Sequence, residues 1–149
     1  MQKCYLALGC FWKPEETFRH IKGIVETEVG YAGGNSQKVT YEEVCEGNTG
    51  HAETVKITYD EKIISYEKIL EVFFKIHDPT QKDMQYPDVG TQYRSEIFYD
   101  NENQKKTAEE KKEFFNKKFN GKIETNISEI KNYYKAEVYH QKYIMKRGR

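Results

Sequence analysis

The 149-residue chain lacks any apolar run approaching the ~18 residues that a membrane-spanning helix needs. No secretory leader is expected, because the short apolar stretch Tyr5 to Leu8 runs straight into Gly9-Cys10. Charge of one sign is missing too: 24 basic side chains face 24 acidic ones, which argues against a dedicated nucleic-acid binder. Internal repeats and low-complexity tracts are absent. No His-Glu-x-x-His pattern or Cys/His cluster stands at zinc spacing, and no Gly-rich loop leads into Lys-Ser/Thr, so neither a metal nor a nucleotide site is expected. Cysteine is scarce. Three in a chain of this length make no disulfide scaffold and leave at least one free thiol. That points to a reducing compartment or to a thiol kept for chemistry. The expectation is one domain over residues 1–149, monomeric, cytoplasmic, with no membrane or nucleic-acid partner.

What the chain does have is aromatic and charged surface: 12 Tyr and 8 Phe beside 32% charged residues, which predicts an aromatic-rich core under a solvated shell. Lys3 to Leu8 reads as a strand, Gly9-Cys10 as a strand-to-helix turn, and Trp12 to Ile21 as a helix with Pro14, Glu15 and Glu16 in its first turn. Val25 to Tyr31 and Thr54 to Tyr59 alternate as half-buried strands. Between them Gly33 to Ser36 and Gly47 to Gly50 read as loops, and Thr40 caps a short helix over Tyr41 to Cys45. Ser65 caps a helix whose stripe is Tyr66, Ile69, Leu70, Phe73 and His77. A long loop runs from Asp78 to Gln92, of a length that often serves function. Arg94 to Tyr99 is a strand, Asn101 to Asn120 a charged helix with the thin stripe Ala108, Phe115 and Phe119, and Lys122 to Ile130 a last strand before a polar, aromatic tail. The order predicts an α+β fold, a two-layer ferredoxin-like sandwich with a β-α-β-β-α-β core and an extra helix and strand.

Cys10 stands directly before a helix N-terminus, where unpaired backbone N–H groups and the helix dipole lower a thiol pKa. From position alone it reads equally as a reactive thiol or a small buried residue. Gly9 lets the backbone turn sharply and a ligand come close. Cys4, on the first strand, reads as a core thiol. Cys45 reads as structural, with a disulfide to Cys10 as the lesser alternative. Glu53 reads either as an ordinary strand carboxylate or, if buried, as a proton donor with a raised pKa. The loop Pro87 to Ser95 is dense in hydrogen-bonding groups and reads as site-building or as turn chemistry. Two other functions suit these residues: a Cys-His hydrolase with Cys10 as nucleophile, His51 as base and Asp88 as orienter, and a non-enzymatic module gripping a peptide.

Together the segments resemble one family, the peptide methionine sulfoxide reductases of the A type. The likeness starts at Gly9-Cys10-Phe11-Trp12, with Glu15, Glu16 and Phe18 in register. It continues through Thr27 to Gly34, Tyr41 to Cys45, Gly50-His51-Ala52-Glu53, His77 to Gln81 and Asp88 to Ser95, and closes with Ala136-Glu137 and Tyr139-His140-Gln141. The resemblance implies that Cys10 is the nucleophile and Glu53 the general acid. It implies that Tyr41, Asp88 and Tyr93 orient the sulfoxide oxygen or the acid, with Tyr41 and Tyr93 also binding substrate, and that Phe11 and Trp12 cage the S-methyl group. The implied substrate is the S-epimer of methionine sulfoxide, free or in oxidised proteins. No cofactor is implied beyond an external thiol such as thioredoxin, glutaredoxin or glutathione. Many members carry resolving cysteines in a C-terminal tail. No cysteine follows Cys45 here, so a single-cysteine cycle is expected. Lys13, in place of a common Gly, either faces solvent or lowers the Cys10 pKa. Departures at Lys135 and Val138 leave a role for Tyr133 or Tyr134 near the pocket open.

Overall fold

The structure is a computed structural model that describes residues 1–35, 39–46 and 49–147. Ser36, the Gly47-Asn48 pair and the last two residues of the tail lie outside the described residues. In chain order the first elements are β1 (Gln2–Leu8), α1 (Trp12–Arg19), β2 (Ile24–Ala32), α2 (Tyr41–Cys45), β3 (Ala52–Tyr59) and α3 (Tyr66–Lys75). A short hairpin follows, β4 (Met84–Gln85) and β5 (Asp88–Val89), then a 3-10 turn over Thr91–Tyr93 and β6 (Ser95–Tyr99). α4 (Glu102–Lys118), β7 (Asn126–Glu129), β8 (Tyr134–Lys135), a second 3-10 turn at Val138–His140 and α5 (Tyr143–Lys146) complete the chain.

The main sheet has the order β7-β6-β1-β3-β2-β8. Its middle four strands, β6-β1-β3-β2, are mutually antiparallel neighbours, so α1 and α3 each join two parallel strands with a third strand between them. That is the split β-α-β pattern of a ferredoxin-like sandwich, as the sequence predicts. The predicted extra helix and strand are α4 and β7, the latter parallel to β6 with Ile97 opposite Ile127.

Strand alternation sorts the residues between the two faces. Cys4, Leu6, Leu8, Val29, Tyr31, Val55 and Ile57 join Phe18, Ile69, Leu70, Phe73 and Phe74 in one core under the helices. Ala7, Ala32, Ala52 and Phe98 form a smaller cluster on the other face, with Tyr5, Ile130 and Tyr133 packed on it. The same alternation places Glu53 in the row of Val55 and Ile57, facing the helices. Leu6 lies opposite Val55, so two residues further along each strand the chain reaches Leu8 beside Glu53, just before the turn into Cys10. Register alone thus carries Glu53 to the cysteine.

The predicted caps are present. Thr40 Oγ1 accepts from the Glu43 N–H at 3.2 Å, and Glu43 reaches back to the Thr40 N–H at 3.0 Å. Ser65 caps α3 by accepting from Lys68, and Asn101, read from the sequence as the first helical residue, instead caps α4 by accepting from Gln104. Several boundaries differ from the sequence reading. α3 ends at Lys75 rather than His77 because the His77 ring takes the Phe73 carbonyl at 2.6 Å, the oxygen its own backbone N–H would bond in a continued helix. The predicted strand from Lys122 pairs only over Asn126–Glu129. The backbone N–H groups of Ile123 and Glu124 instead donate to the Asn116 side chain and the Pro79 carbonyl. The loop from Asp78 contains the β4–β5 hairpin. The tail, read only as polar and aromatic, adds β8 to the edge of β2 and brings Gln141 alongside, its amide bonding both the N–H and the C=O of Val29.

Gly9 has φ +98°, and a Cβ there would stand 2.9 Å from Gln85 Cγ. The space that the sequence suggests for a ligand is taken by the hairpin, whose Gln85 also bonds the Asp78 backbone N–H and C=O. Gly9→Ala combines a strained φ with a clash, so we expect it to lower stability by about 1–3 kcal/mol, read as a fall in Tm. Gln85→Ala in the same chain should restore only the steric part.

Candidate active site

Cys10 sits between β1 and α1, partly exposed. The Trp12 backbone N–H donates to its sulfur, as expected at a helix start. The net effect on the thiol is nevertheless opposite to the expected lowering. Burial, and next the Glu53 carboxylate, push it up to about 12, and the single N–H bond only offsets part of this. At neutral pH Cys10 therefore rests as a protonated thiol.

Glu53 is buried at 1% exposure. Its Oε1 accepts from the Phe11 backbone N–H at 3.2 Å, and the Cys10 thiol also donates to its carboxyl. Its Oε2 has no hydrogen-bond partner among the described residues. Burial raises its pKa to about 8 against those two hydrogen bonds, and the Asp88 charge raises it further. Glu53 is therefore a neutral acid at pH 7, with one oxygen uncommitted, and the surface-carboxylate reading falls.

The structure brings the other candidates to the same place. Tyr41 opens α2, and its hydroxyl donates to the Cys45 thiol. Its backbone N–H is held by Glu137 at 2.9 Å. Tyr93 ends the 3-10 turn near Glu53, Cys45, Asp88 and Cys10. Burial first, reinforced by the hydrogen bond to Cys45 for Tyr41 and by the surrounding acidic groups for Tyr93, pushes both phenols well above the ordinary tyrosine value, so both stay protonated donors. Asp88 lies half-buried in the hairpin, its charge felt by Glu53, Cys10 and Tyr93.

Of the two aromatics beside the cysteine, Phe11 is 1% exposed, its ring against Tyr31 and His140. Trp12 is half-buried. Its indole stacks on Tyr143 at 3.8 Å between centroids, and its Nε1–H donates to His140 Nδ1 at 3.0 Å. His140 and Tyr143, and Glu137 with its second bond to the Tyr31 hydroxyl, are parts of the site that no periodicity in the sequence singles out. The tail packs through hydrogen bonds and ring stacking, which leave no apolar repeat. Tyr133 lies elsewhere, bonded to Glu28 and packed on Tyr5.

His51 does not pair with Cys10. One ring nitrogen meets the Asn132 carbonyl at 3.0 Å and the other has no partner among the described residues, so the hydrolase reading loses its base. Cys4 is fully buried, and burial drives its thiol far up, as a core residue requires. Cys45 is exposed, and all three cysteines are free thiols. Lys13 is exposed. Among the described residues no group of three or more His, Cys, Asp or Glu side chains is placed to hold a metal ion, and no helix is long and apolar enough to cross a membrane.

The family model of peptide methionine sulfoxide reductase matches residues 2–149. A protein of Pelagibacter ubique named peptide methionine sulfoxide reductase MsrA is 56% identical over 147 residues, covering 99% of this chain and all of the relative. Among solved structures, reduced Mxr1 from Saccharomyces cerevisiae superposes with a TM-score of 0.95 at 40% identity, covering 99% of this chain and 86% of that one. Mxr1 solved in complex with Trx2 matches with a TM-score of 0.68 at 30% identity, covering 95% and 84%.

Proposed function

The chain belongs to the A-type peptide methionine sulfoxide reductase family, and on that footing we propose how its own residues turn methionine sulfoxide into methionine. A sulfoxide sulfur is a poor electrophile until its oxygen receives a proton. The observation that carries the assignment is the buried, neutral Glu53, bonded to the Phe11 N–H beside Cys10 and holding one uncommitted oxygen. Glu53 gives its proton to the sulfoxide oxygen and takes up the thiol proton as the Cys10 sulfur attacks. The S–O bond of the substrate breaks and an S–O bond to Cys10 forms, leaving methionine and a Cys10 sulfenic acid. The Tyr41 and Tyr93 hydroxyls donate to the sulfoxide oxygen, the Asp88 charge keeps the acid protonated, and the S-methyl group packs on Trp12 with Phe11 behind it.

The sulfenic acid is a reversible oxidation state that a thiol clears. An external thiol attacks Cys10, water leaves, and a second thiol releases the reduced cysteine. The Mxr1 complex with Trx2 favours a thioredoxin-type protein over glutaredoxin or glutathione. Three free thiols suit a reducing, cytoplasmic setting, and we take the working unit to be a monomer.

The test is turnover of S- and R-methionine sulfoxide with dithiothreitol, followed as methionine released. We expect S-selective turnover. Equal turnover of both epimers, or of neither, would overturn the assignment.

A further inference from the structure

The space next to Cys10 does not end there. A cavity of about 450 Å³ is lined by Cys10, Lys13, Ile76, His77 and Asp88. A larger one of about 830 Å³ is lined by Ile76 and His77 again, then by Lys75, Phe115, Lys118 and Phe119. Because Ile76 and His77 line both, one continuous surface passes from the reacting sulfur across the end of α3 onto the end of α4. Ile76 stands 37% exposed at this junction.

The charges along this path are mostly positive. The Lys118 ammonium lies 4.8 Å from the Phe114 ring centre and 5.8 Å from that of Phe115, which holds the cation at the groove edge. Neither Lys118 nor Lys75 is ion-paired among the described residues, whereas Lys68 and Lys111 are taken by Glu71. Asp78 also lines the second cavity; the Thr80 N–H at 3.0 Å, the Thr80 hydroxyl at 2.6 Å and the Gln81 amide at 3.2 Å hold its carboxylate ionised, so the two lysines exceed it by a single positive charge. An apolar floor edged by two ammonium groups that form no ion pair among the described residues lies beyond the reach of a single free amino acid held at Cys10. It complements a longer chain carrying an apolar residue and a carboxylate.

We propose that the groove from Cys10 to Phe119 seats the polypeptide flanking an oxidised methionine, with an apolar side chain on Phe115 and Phe119 and an acidic one against Lys75 and Lys118. Among protein-bound methionine sulfoxides, those in an acidic, apolar context are then favoured. This rests on the reductase function proposed above.

The test compares kcat/KM, with saturating dithiothreitol as reductant, for N-acetyl-methionine sulfoxide methylamide and for two sets of heptapeptides. One set carries Leu and Asp on either side of the sulfoxide, the other Leu and Lys. We expect the best acidic peptide to exceed the blocked residue about tenfold, chiefly through KM, and the gain to shrink at high salt. The matching lysine peptide should show no gain. Lys118→Glu and, separately, Lys75→Glu should reverse that order and leave the blocked residue unchanged. Peptides that all match the blocked residue would overturn the groove assignment. So would a defect in Lys118→Glu that appears only with a protein reductant, which would give the groove to the reductant instead. No turnover even of the blocked residue would count against the reductase function itself, not the groove.

Discussion

Cys10→Ser should release no measurable methionine, a loss on the order of 10³-fold or more in kcat. Serine preserves size and the hydrogen bond from the Trp12 N–H, but its oxygen cannot take up the sulfoxide oxygen as a sulfenic acid. The other two thiols give the contrast. Cys4→Ser places a hydroxyl in a fully buried position and should cost stability rather than chemistry. Cys45→Ser keeps an acceptor for the Tyr41 hydroxyl and should retain activity within about threefold.

Glu53→Gln should lower kcat by about 10²- to 10⁴-fold. The amide can still fill the space and accept from the Phe11 N–H, but it has no acidic proton to give. Wild-type activity should decline as pH rises through about 8, where Glu53 loses its proton, and that limb should vanish in the variant. Stability follows the same group with a definite sign. The folded value lies above the ordinary 4.5, so between 4.5 and about 8 the folded state binds more protons than the unfolded one. The stability linked to Glu53 is whole below the ordinary value, declines through that window and is gone above the folded value. Glu53→Gln cannot ionise, so its Tm should exceed that of wild type at pH 9 and the advantage should narrow toward pH 4. A gain in Tm alongside the loss in kcat separates a chemical role from damage to the fold.

The parts of the molecule legible in the sequence are those governed by local rules. The strand into Gly9-Cys10 and the Thr40 and Ser65 caps follow from spacing, whereas the side to which Glu53 turns stays open in the sequence and is decided by the register of β3. The sheet order follows too, once strands and helices are placed. The hidden parts depend on partners far along the chain. Whether Cys10 is acidic turns on Glu53 and on burial, not on the helix start alone, and the nearby residues point the wrong way. The tail carries three residues of the site, yet Glu137, His140 and Tyr143 are held by individual hydrogen bonds and ring contacts to distant parts of the chain. Such contacts have no period to read. The early end of α3 is a side-chain event, the His77 ring displacing a helical bond, and propensity does not foresee it.

The most direct test of the account is one turnover without any reductant. Reduced enzyme mixed with excess S-methionine sulfoxide should release one methionine per chain and stop, with the peptide containing Cys10 trapped as a sulfenic acid by dimedone. Continued release without thiol, or release from Cys10→Ser, would contradict Cys10 as the site of oxygen transfer. A Cys10–Cys45 disulfide found by mass spectrometry in place of the sulfenic acid would contradict the external-thiol cycle.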